Sequence, residues 1–283
     1  MSRFKVFIEY EGTRYRGWQY QKNAPTIQGE LLKAAQHVFK TDAIEFYGSG
    51  RTDAGVHAML QVAHLDVPTM LAPEIITKKL NDTLPHDIAI VETEKAPDHF
   101  HARHDAVARS YLYQIARRRT AFGKRFVWWI KDALNVDTMT QAAENFVGMK
   151  DFKSFTAIET EEQSTKVLID ECTLQTTGDL LVIRITGSHF IWKMVRQIVG
   201  ILVEVGRGKM QPADIERFFQ TQSDRPAKVT APPSGLFLER VYYKGDRKNT
   251  AIKPVLPVPT KQELGIYIQI ATQKKRSYHD NQK

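Results

Sequence analysis

The apolar residues of this chain predict the same order of strands and helices twice, and this repetition constrains the fold more than any other feature. Strict alternation predicts a strand, whereas apolar residues three and four positions apart predict a helix. The first pass closes near residue 100 and has the β-α-β-β-α-β order of a ferredoxin-like unit. Its segments are a strand at residues 3–10, a helix that opens at Pro25 and Thr26, strands at Ile44–Tyr47 and Gln61–Val67, a helix at Pro73–Leu80 and a strand at Ile88–Val91.

A second pass of the same order begins at Val107 and has one extra helix. We therefore expect an α/β (α+β) fold of two tandem ferredoxin-like domains, at residues 1–105 and 106–244. Their largely antiparallel sheets would meet at a central active-site cleft. The second set of segments is a strand from Val107 to Ile115, a helix with Asp137 as N-cap, a hairpin of Val167–Gln175 and Leu180–Thr186, an apolar helix from Phe190 to Gly206, a helix at Pro212–Phe219 and a strand at Gly235–Tyr243.

Residues 245–283 have a different composition, with many charges and three prolines between residues 254 and 259. Such a composition buries little apolar surface. We expect a charged C-terminal tail of unknown role, in which Leu264–Ile270 is the one segment apolar enough to be ordered.

The overall composition favours a polyanionic partner. The chain has 283 residues, a formal net charge of +8 and a pI near 9.4, and a basic chain of this size is often a partner of nucleic acid. A basic but otherwise ordinary enzyme remains open on charge alone. The single cysteine, Cys172, excludes a disulfide framework and a thiolate metal cage. Neither a signal-peptide core nor a run of 18 apolar residues is present, so we expect a cytoplasmic protein without membrane contact.

The stretch from Gly48 to Ala58 is the first candidate site, because it places Arg51 and Asp53 among three glycines. Loops presented by a rigid scaffold often carry catalytic groups, and glycine lets another molecule approach closely. An ordinary acidic turn remains the alternative. The spacing does not match the known phosphate-binding glycine loops.

Two arginines, Arg109 and Arg196, lie where a substrate or a carboxylate could meet them, whereas Lys193 is expected to be a surface residue. Arg109 shares one face of its predicted strand with Tyr111 and Tyr113. Lys193 and Arg196 are three positions apart on the predicted apolar helix, and apolar residues surround Arg196 on both sides. A buried guanidinium needs a carboxylate, and Asp53 is the expected partner if the two domains meet at the glycine loop.

His99, His101 and His104 lie within six residues, so a metal site is a further alternative. Their spacing matches no defined metal motif. In an extended segment His99 and His101 share a face and His104 points away. We expect no metal site here.

Four blocks of the chain resemble the tRNA pseudouridine synthases of the TruA type, in that family's order and over residues 3–243. The first, at residues 50–58, is highly specific because it matches the family's active-site motif over nine residues. The blocks are GRTDAGVHA at residues 50–58, FHAR at 100–103 with ARSYLY at 108–113, FIWKMVR at 190–196 and APPSGLFL at 231–238.

The resemblance implies isomerisation of uridine to pseudouridine at positions 38, 39 and 40 of the tRNA anticodon stem-loop, by a homodimer with no cofactor. It also implies roles for individual residues. Asp53 matches the catalytic aspartate, Arg196 its arginine partner, Arg51 the arginine beside the flipped nucleotide, Tyr111 the tyrosine stacked on the flipped uracil and Leu236 an apolar residue near the target base, while Arg109 is expected to bind substrate.

Three other functions remain open at this stage. Ferredoxin-like sheets with surface aromatic residues also bind RNA without catalysis, although this does not explain an acid among glycines. A related synthase acting on other RNA sites would carry the same motifs. A metal-dependent enzyme is the third.

Overall fold

The computed structural model describes residues 1–156, 164–248 and 251–258. These residues form ten strands and six helices. The strands are β1 (Ser2–Tyr10), β2 (Glu45–Gly48), β3 (His57–Val67), β4 (Ile88–Lys95), β5 (Ala106–Ala116), β6 (Trp128–Trp129), β7 (Gly148–Asp151), β8 (Lys166–Thr177), β9 (Leu180–Gly187) and β10 (Leu236–Tyr243). The helices are α1 (Ile27–Phe39), α2 (Pro73–Asn81), α3 (Val136–Glu144), α4 (Met194–Gly206), α5 (Asp214–Gln220) and α6 (Arg225–Lys228).

All ten strands belong to one sheet, with the order β4-β1-β3-β10-β5-β9-β8-β7. Outside this order, β2 pairs with β3, and β6 pairs with β5. Every pair is antiparallel except β3–β10 and β5–β6. The predicted mixed fold with a largely antiparallel sheet is therefore confirmed. Domain boundaries at residues 105 and 244 stay a prediction.

The two halves of the chain are joined through β10, which comes last in sequence but lies at the centre of the sheet. It pairs in parallel with the start of β3, where Phe237 is opposite His57. On its other edge it pairs with β5 along seven residue pairs, from Leu236–Tyr113 to Tyr243–Ala106. The loop that precedes β3 is therefore brought next to β5 and to the residues before β10.

Two hydrophobic cores cover the same face of the sheet. One contains residues of α1 and α2, and the other contains residues of α3, α4 and α5. Tyr111 packs against both cores. It thus marks the boundary between the two halves, at the centre of the predicted cleft.

Two of the expectations for where helices begin were wrong. Thr26 caps α1 by accepting a hydrogen bond from Gly29 N, as expected. α3 is capped by Asn135, whose Oδ1 accepts from Thr138 N at 3.0 Å, and Asp137 lies inside the first turn. Asparagine and aspartate cap about equally well, so residue type alone does not separate positions 135 and 137.

The predicted helix from Phe190 starts four residues late, at Met194. Lys193 precedes it with φ of 61°, in the left-handed region. Lys193 and Arg196 therefore do not share a helical face. Further along α4, a Cβ added to Gly200 would lie 1.8 Å from Val229 O. Only glycine allows this approach, which brings α4 against residues 229–231.

The start of the expected tail packs on the opposite face of the sheet. Ala251 O accepts from Arg184 Nη2 at 2.6 Å, and Val255 N donates to Gln114 Oε1 at 2.6 Å. Val258 is buried in a small cluster with residues of β5, β9 and β10. We call residues 251–258 the C-terminal strap. Leu264–Ile270 lies outside the described residues, and no helix within them is long and apolar enough to cross a membrane.

Candidate active site

The backbone on both sides of Asp53 is held by the loop that follows β1. Trp18 N donates to Thr52 O at 3.1 Å, and Gly55 N donates to Tyr15 O at 3.3 Å. The Thr52 hydroxyl lies 2.8 Å from the buried Tyr10 hydroxyl. Gly17, with φ of 91°, is required at this contact, since a Cβ there would lie 2.5 Å from Thr52 O. Asp53 is therefore presented by a loop with little conformational freedom.

The three glycines of the loop have three different functions. Gly55 has φ of 78°, a conformation that other residues adopt at a cost. Gly48 lies against the indole of Trp18, where a Cβ would clash at 2.6 Å. A Cβ on Gly50 would meet nothing within 4 Å. Only Gly50 faces open space, so it leaves room for another molecule.

Side chains from β3 fix the two ends of the loop. Gln61 Oε1 accepts from Ser49 Oγ at 2.7 Å, and Gln61 Nε2 donates to Gly50 O at 3.1 Å. At the other end, His57 Nδ1 accepts from Gly12 N, so its Nε2 carries the proton and donates to Arg125 O, both at 3.0 Å. Burial lowers the pKa of His57, which keeps this ring neutral. His57 therefore has a structural function.

Asp53 forms the ion pair expected from the sequence. Arg196 Nη1 lies 3.2 Å from Asp53 Oδ2, and the two side chains are 14% and 23% exposed. Arg196 is held in place by Ala231, whose carbonyl accepts from Arg196 Nε at 2.7 Å and whose N–H donates to Arg196 O at 3.0 Å. The close contact at Gly200 positions this segment. The carboxylate is thus oriented by a fixed cation and still reaches solvent.

Tyr111 lies beside this pair. Its ring meets the ring of Phe190 edge to face, with centroids 5.0 Å apart. Burial raises the pKa of Tyr111 to about 12; Arg109 opposes this shift, and the negative charge of Asp53 adds to it. The phenol is therefore protonated at neutral pH and presents an uncharged aromatic ring.

Leu236 and Arg109 lie on either side of Tyr111. Leu236 is 4% exposed and is paired with Tyr113, whose hydroxyl donates to Pro232 O at 2.8 Å. The guanidinium of Arg109 donates from Nη1 to the carbonyls of Ala106 and Ser188, and from Nη2 to those of Ser49 and Arg103. All four Nη hydrogens of Arg109 are therefore bound within the protein.

The rings of His64 and His101 accept hydrogen bonds from backbone N–H groups near residue 100. His64 Nδ1 accepts from Ala102 N at 3.2 Å, and His101 Nδ1 accepts from both Arg103 N and His104 N. Among the described residues no group of three or more His, Cys, Asp or Glu side chains has the arrangement of a metal site. These histidines stabilise the turn at residues 101–105.

A family model described as tRNA pseudouridine synthase matches residues 6–105 and 142–244. The chain belongs to this family. The enzyme named tRNA pseudouridine synthase A of Exiguobacterium sp. strain AT1b is 38% identical over 244 residues, which is 86% of this chain and 99% of the relative. That of Rhodopseudomonas palustris strain BisA53 is 39% identical over 86% of this chain and 100% of the relative.

Pseudouridine synthases are isomerases, so membership of the family makes this chain an enzyme of that class. Among solved structures, a chain of a Cbf5–Nop10–Gar1 complex aligns with 70% of this chain at 9% identity, covering 54% of that chain with a TM-score of 0.29. That score is too low to indicate a shared fold. The family model and the relatives in sequence carry the family assignment.

Within this synthase, the structure brings Asp53 and Arg196 together beside Tyr111. Leu236 lies on β10, which pairs with β5, the strand that carries Tyr111. Arg51 lies on the same loop but is exposed, and it forms no ion pair with any described residue. Sequence reasoning missed Gln61 and Ala231, which hold the loop and the arginine. Gln61 had no local signal beyond its place in a strand, whereas Ala231 lies in the fourth matching block.

Proposed function

We propose that this protein isomerises uridine to pseudouridine at positions 38, 39 and 40 of the tRNA anticodon stem-loop, with Asp53 as the nucleophile. The observation that carries the proposal is the partly exposed Asp53 carboxylate, oriented by Arg196 beside the ring of Tyr111. These residues lie in the blocks that resemble the family's catalytic motifs.

The reaction needs an ionised carboxylate and no oxidant or reductant. The bond from ribose C1′ to uracil N1 breaks, the uracil turns, and a bond forms from C1′ to C5. The proton on C5 leaves and N1 gains one, so substrate and product have the same composition. Asp53 attacks either C1′ or C6, and both routes need its negative charge. Arg196 stabilises that charge.

The target uridine has to leave its stack to reach Asp53, which costs a few kcal/mol. Tyr111 offsets this cost, since stacking on an aromatic ring contributes about 1–3 kcal/mol per base. Leu236 provides an apolar surface near the base. Arg51, which is exposed and has no carboxylate partner among the described residues, contacts the flipped nucleotide. Arg109 acts through the loop, because its Nη donors hold Ser49 and Arg103.

A basic surface suits a substrate whose modified position varies. With a net charge of +8, the protein attracts the phosphate backbone without reading bases. Neighbouring positions 38 to 40 can then enter one site in turn. The resemblance also carries a cytoplasmic homodimer into the proposal, and sedimentation of the purified protein would test the dimer.

The test is release of tritium from tRNA transcripts labelled at uridine C5. The wild-type protein should release it from positions 38–40, and Asp53→Asn should release none. Asp224→Asn is the matched control, because it also removes a carboxylate. Asp224 lies on the surface, 73% exposed, and forms an ion pair with Lys228. Release by Asp53→Asn at the wild-type rate would overturn the assignment. Pseudouridine mapping at other positions would redirect it to another RNA site.

A further inference from the structure

A small pocket lies beside the catalytic loop, and of its lining residues the reaction described above uses only Arg51. Its walls include Tyr47, Gly50, Arg51 and Arg103; it opens to solvent and has a cavity volume of about 20 Å³. That is room for about one water-sized group. The ring of Tyr47 is packed against His64, with centroids 5.6 Å apart and near-parallel planes. The pocket therefore has room for one phosphate oxygen.

The two charged side chains that line the pocket, Arg51 and Arg103, are both cationic. Gln28, which also lines it, is already bound: its Oε1 accepts from Gln19 Nε2 and Tyr20 N, and its Nε2 donates to Phe46 O. Arg51 and Arg103 are exposed, and neither pairs with a carboxylate in the part of the chain that the structure describes. Two unpaired guanidinium groups favour an anion, and they do not favour the edge of a base.

The turn that carries Arg103 is fixed from several sides. Its N–H groups donate to His64 and His101, as described above, and His101 N donates to Asp105 Oδ2 at 2.8 Å. Ala102 O accepts from the Tyr243 hydroxyl at 2.7 Å. Arg109 Nη2 binds the carbonyls of Arg103 and Ser49 together, at 2.9 and 3.0 Å. Arg109 thus fixes the Arg103 turn relative to Ser49, the residue before Gly50. Gly50 is itself part of the pocket wall.

We propose that this pocket binds one phosphate oxygen of the RNA backbone close to the nucleotide that enters the cleft, and that Arg103 is its main binding residue. The inference rests on the proposed function for the identity of the RNA. Three observations carry it: Arg51 and Arg103 have no carboxylate partner among the described residues, the turn that carries Arg103 is preorganised, and the space next to Gly50 is open.

The test measures binding of an unmodified tRNA transcript over a range of salt concentrations, in the Asp53→Asn background so that no turnover occurs. Loss of one phosphate contact should reduce the slope of log K against log salt by about 1. We expect this of Arg103→Gln, with affinity at low salt reduced at least about tenfold. Arg103→Lys should keep the slope. Arg217→Gln, which removes an equal charge from an exposed site on α5, should change neither.

Replacing single phosphates of the RNA by uncharged methylphosphonates tests the ligand itself. One position should weaken binding to the Arg103-containing protein and have no further effect on Arg103→Gln. If no position behaves in this way, or if Arg103→Gln keeps the full slope, the proposal is wrong. Because the readout is binding, this result is independent of whether tritium is released, so failure of the proposed reaction would be seen separately.

A second variant approaches the same site without removing charge. Gly50→Ala places a methyl group in open space, so its melting temperature should equal that of the wild type. It should nevertheless weaken RNA binding, because Gly50 lines the pocket and the methyl group takes space next to the bound phosphate. Unchanged binding by a normally folded Gly50→Ala protein would contradict the proposal.

Discussion

Arg196 donates to the carboxylate of Asp53 across 143 positions of sequence, at 3.2 Å. The pair joins a loop of the first half of the chain to a helix of the second. Neither side chain is fully buried, so the contact orients the carboxylate and leaves one side of it open. This arrangement is typical of a group that has to meet a substrate, and it differs from an ion pair whose only function is stability.

Arg196 should therefore matter more to catalysis than to folding. Arg196→Lys keeps a cation but loses either the bond to Asp53 or the bond to Ala231 O. We expect kcat to fall about 10- to 100-fold, the range for loss of a charged hydrogen bond. Arg196→Met should lose more, because it leaves the carboxylate without a cation. Tritium release under saturating tRNA measures kcat, and a kcat for Arg196→Met equal to that of Arg196→Lys would argue against an electrostatic function.

The aromatic ring of Tyr111 should contribute more to kcat/KM than its hydroxyl does. The phenol has a pKa of about 12 and is neutral at physiological pH. Tyr111→Leu removes the ring and should lower kcat/KM by about 5- to 150-fold, the equivalent of 1–3 kcal/mol of stacking. Tyr111→Phe should lose less. Equal losses in the two variants would show that the hydroxyl takes part in the chemistry, and initial rates at subsaturating tRNA distinguish the two outcomes.

His64 should make the protein less stable in mild acid. Burial, followed by the positive charge of Arg3, lowers the pKa of His64 to about 4 in the folded protein; His101 adds to this and Asp66 and Asp105 oppose it. The unfolded chain binds a proton near pH 6.5. The free energy of unfolding should therefore fall as the pH drops from 6.5 to 4, by up to about 1.4 kcal/mol per pH unit from this residue.

The variant His64→Asn isolates this contribution. Its Oδ1 can replace Nδ1 as the acceptor for Ala102 N, but it does not titrate. Urea unfolding at several pH values should give a shallower dependence for His64→Asn than for the wild type between pH 6.5 and 4. Parallel curves would show that His64 is protonated equally in both states.

A buried ion pair lies on the face of the sheet that the C-terminal strap covers, and its loss should lower the free energy of unfolding strongly. Arg184 is 1% exposed and lies 2.7 Å from Glu239, which also accepts from the Ser110 hydroxyl. Arg184→Met leaves the carboxylate buried without its cation and should cost about 3–5 kcal/mol. The double variant Arg184→Met/Glu239→Gln should recover part of this loss.

Lys228→Met is the control for this pair, because Lys228 forms an exposed ion pair with Asp224. Exposed pairs contribute about 0–1 kcal/mol. Denaturant midpoints that fall equally for Lys228→Met and Arg184→Met would show that burial of the pair has no special effect.

The elements with the clearest periodicity were predictable, and so was the ion pair. An arginine between apolar residues of a helix needs a carboxylate, which is why Asp53 could be named as the partner of Arg196. β6 and β7 were not predicted. Two residues are too few to show alternation, and β7 has a single large apolar residue, Met149. The prolines of the C-terminal strap are typical of an unpacked tail. Its hydrogen bonds, from Arg184 to Ala251 O and from Val255 N to Gln114, show that it packs on the sheet.

The long-range contacts of polar side chains could not be read from local patterns. Arg109 looked available to a substrate because its strand face also carries tyrosines. Its four carbonyl partners come from four different segments of chain. Arg103, by contrast, lies in a matching block but had no local signal that its guanidinium remains unpaired.

In the described part of the chain, the central position of β10 leaves no hinge between the two halves of the sheet. A cleft between two separate domains can widen and close by rotation about a linker. Here β10 is hydrogen-bonded to β3 on one edge and to β5 on the other, so any such rotation would break the sheet at its middle. The two halves of the sheet are therefore fixed relative to each other when the chain folds.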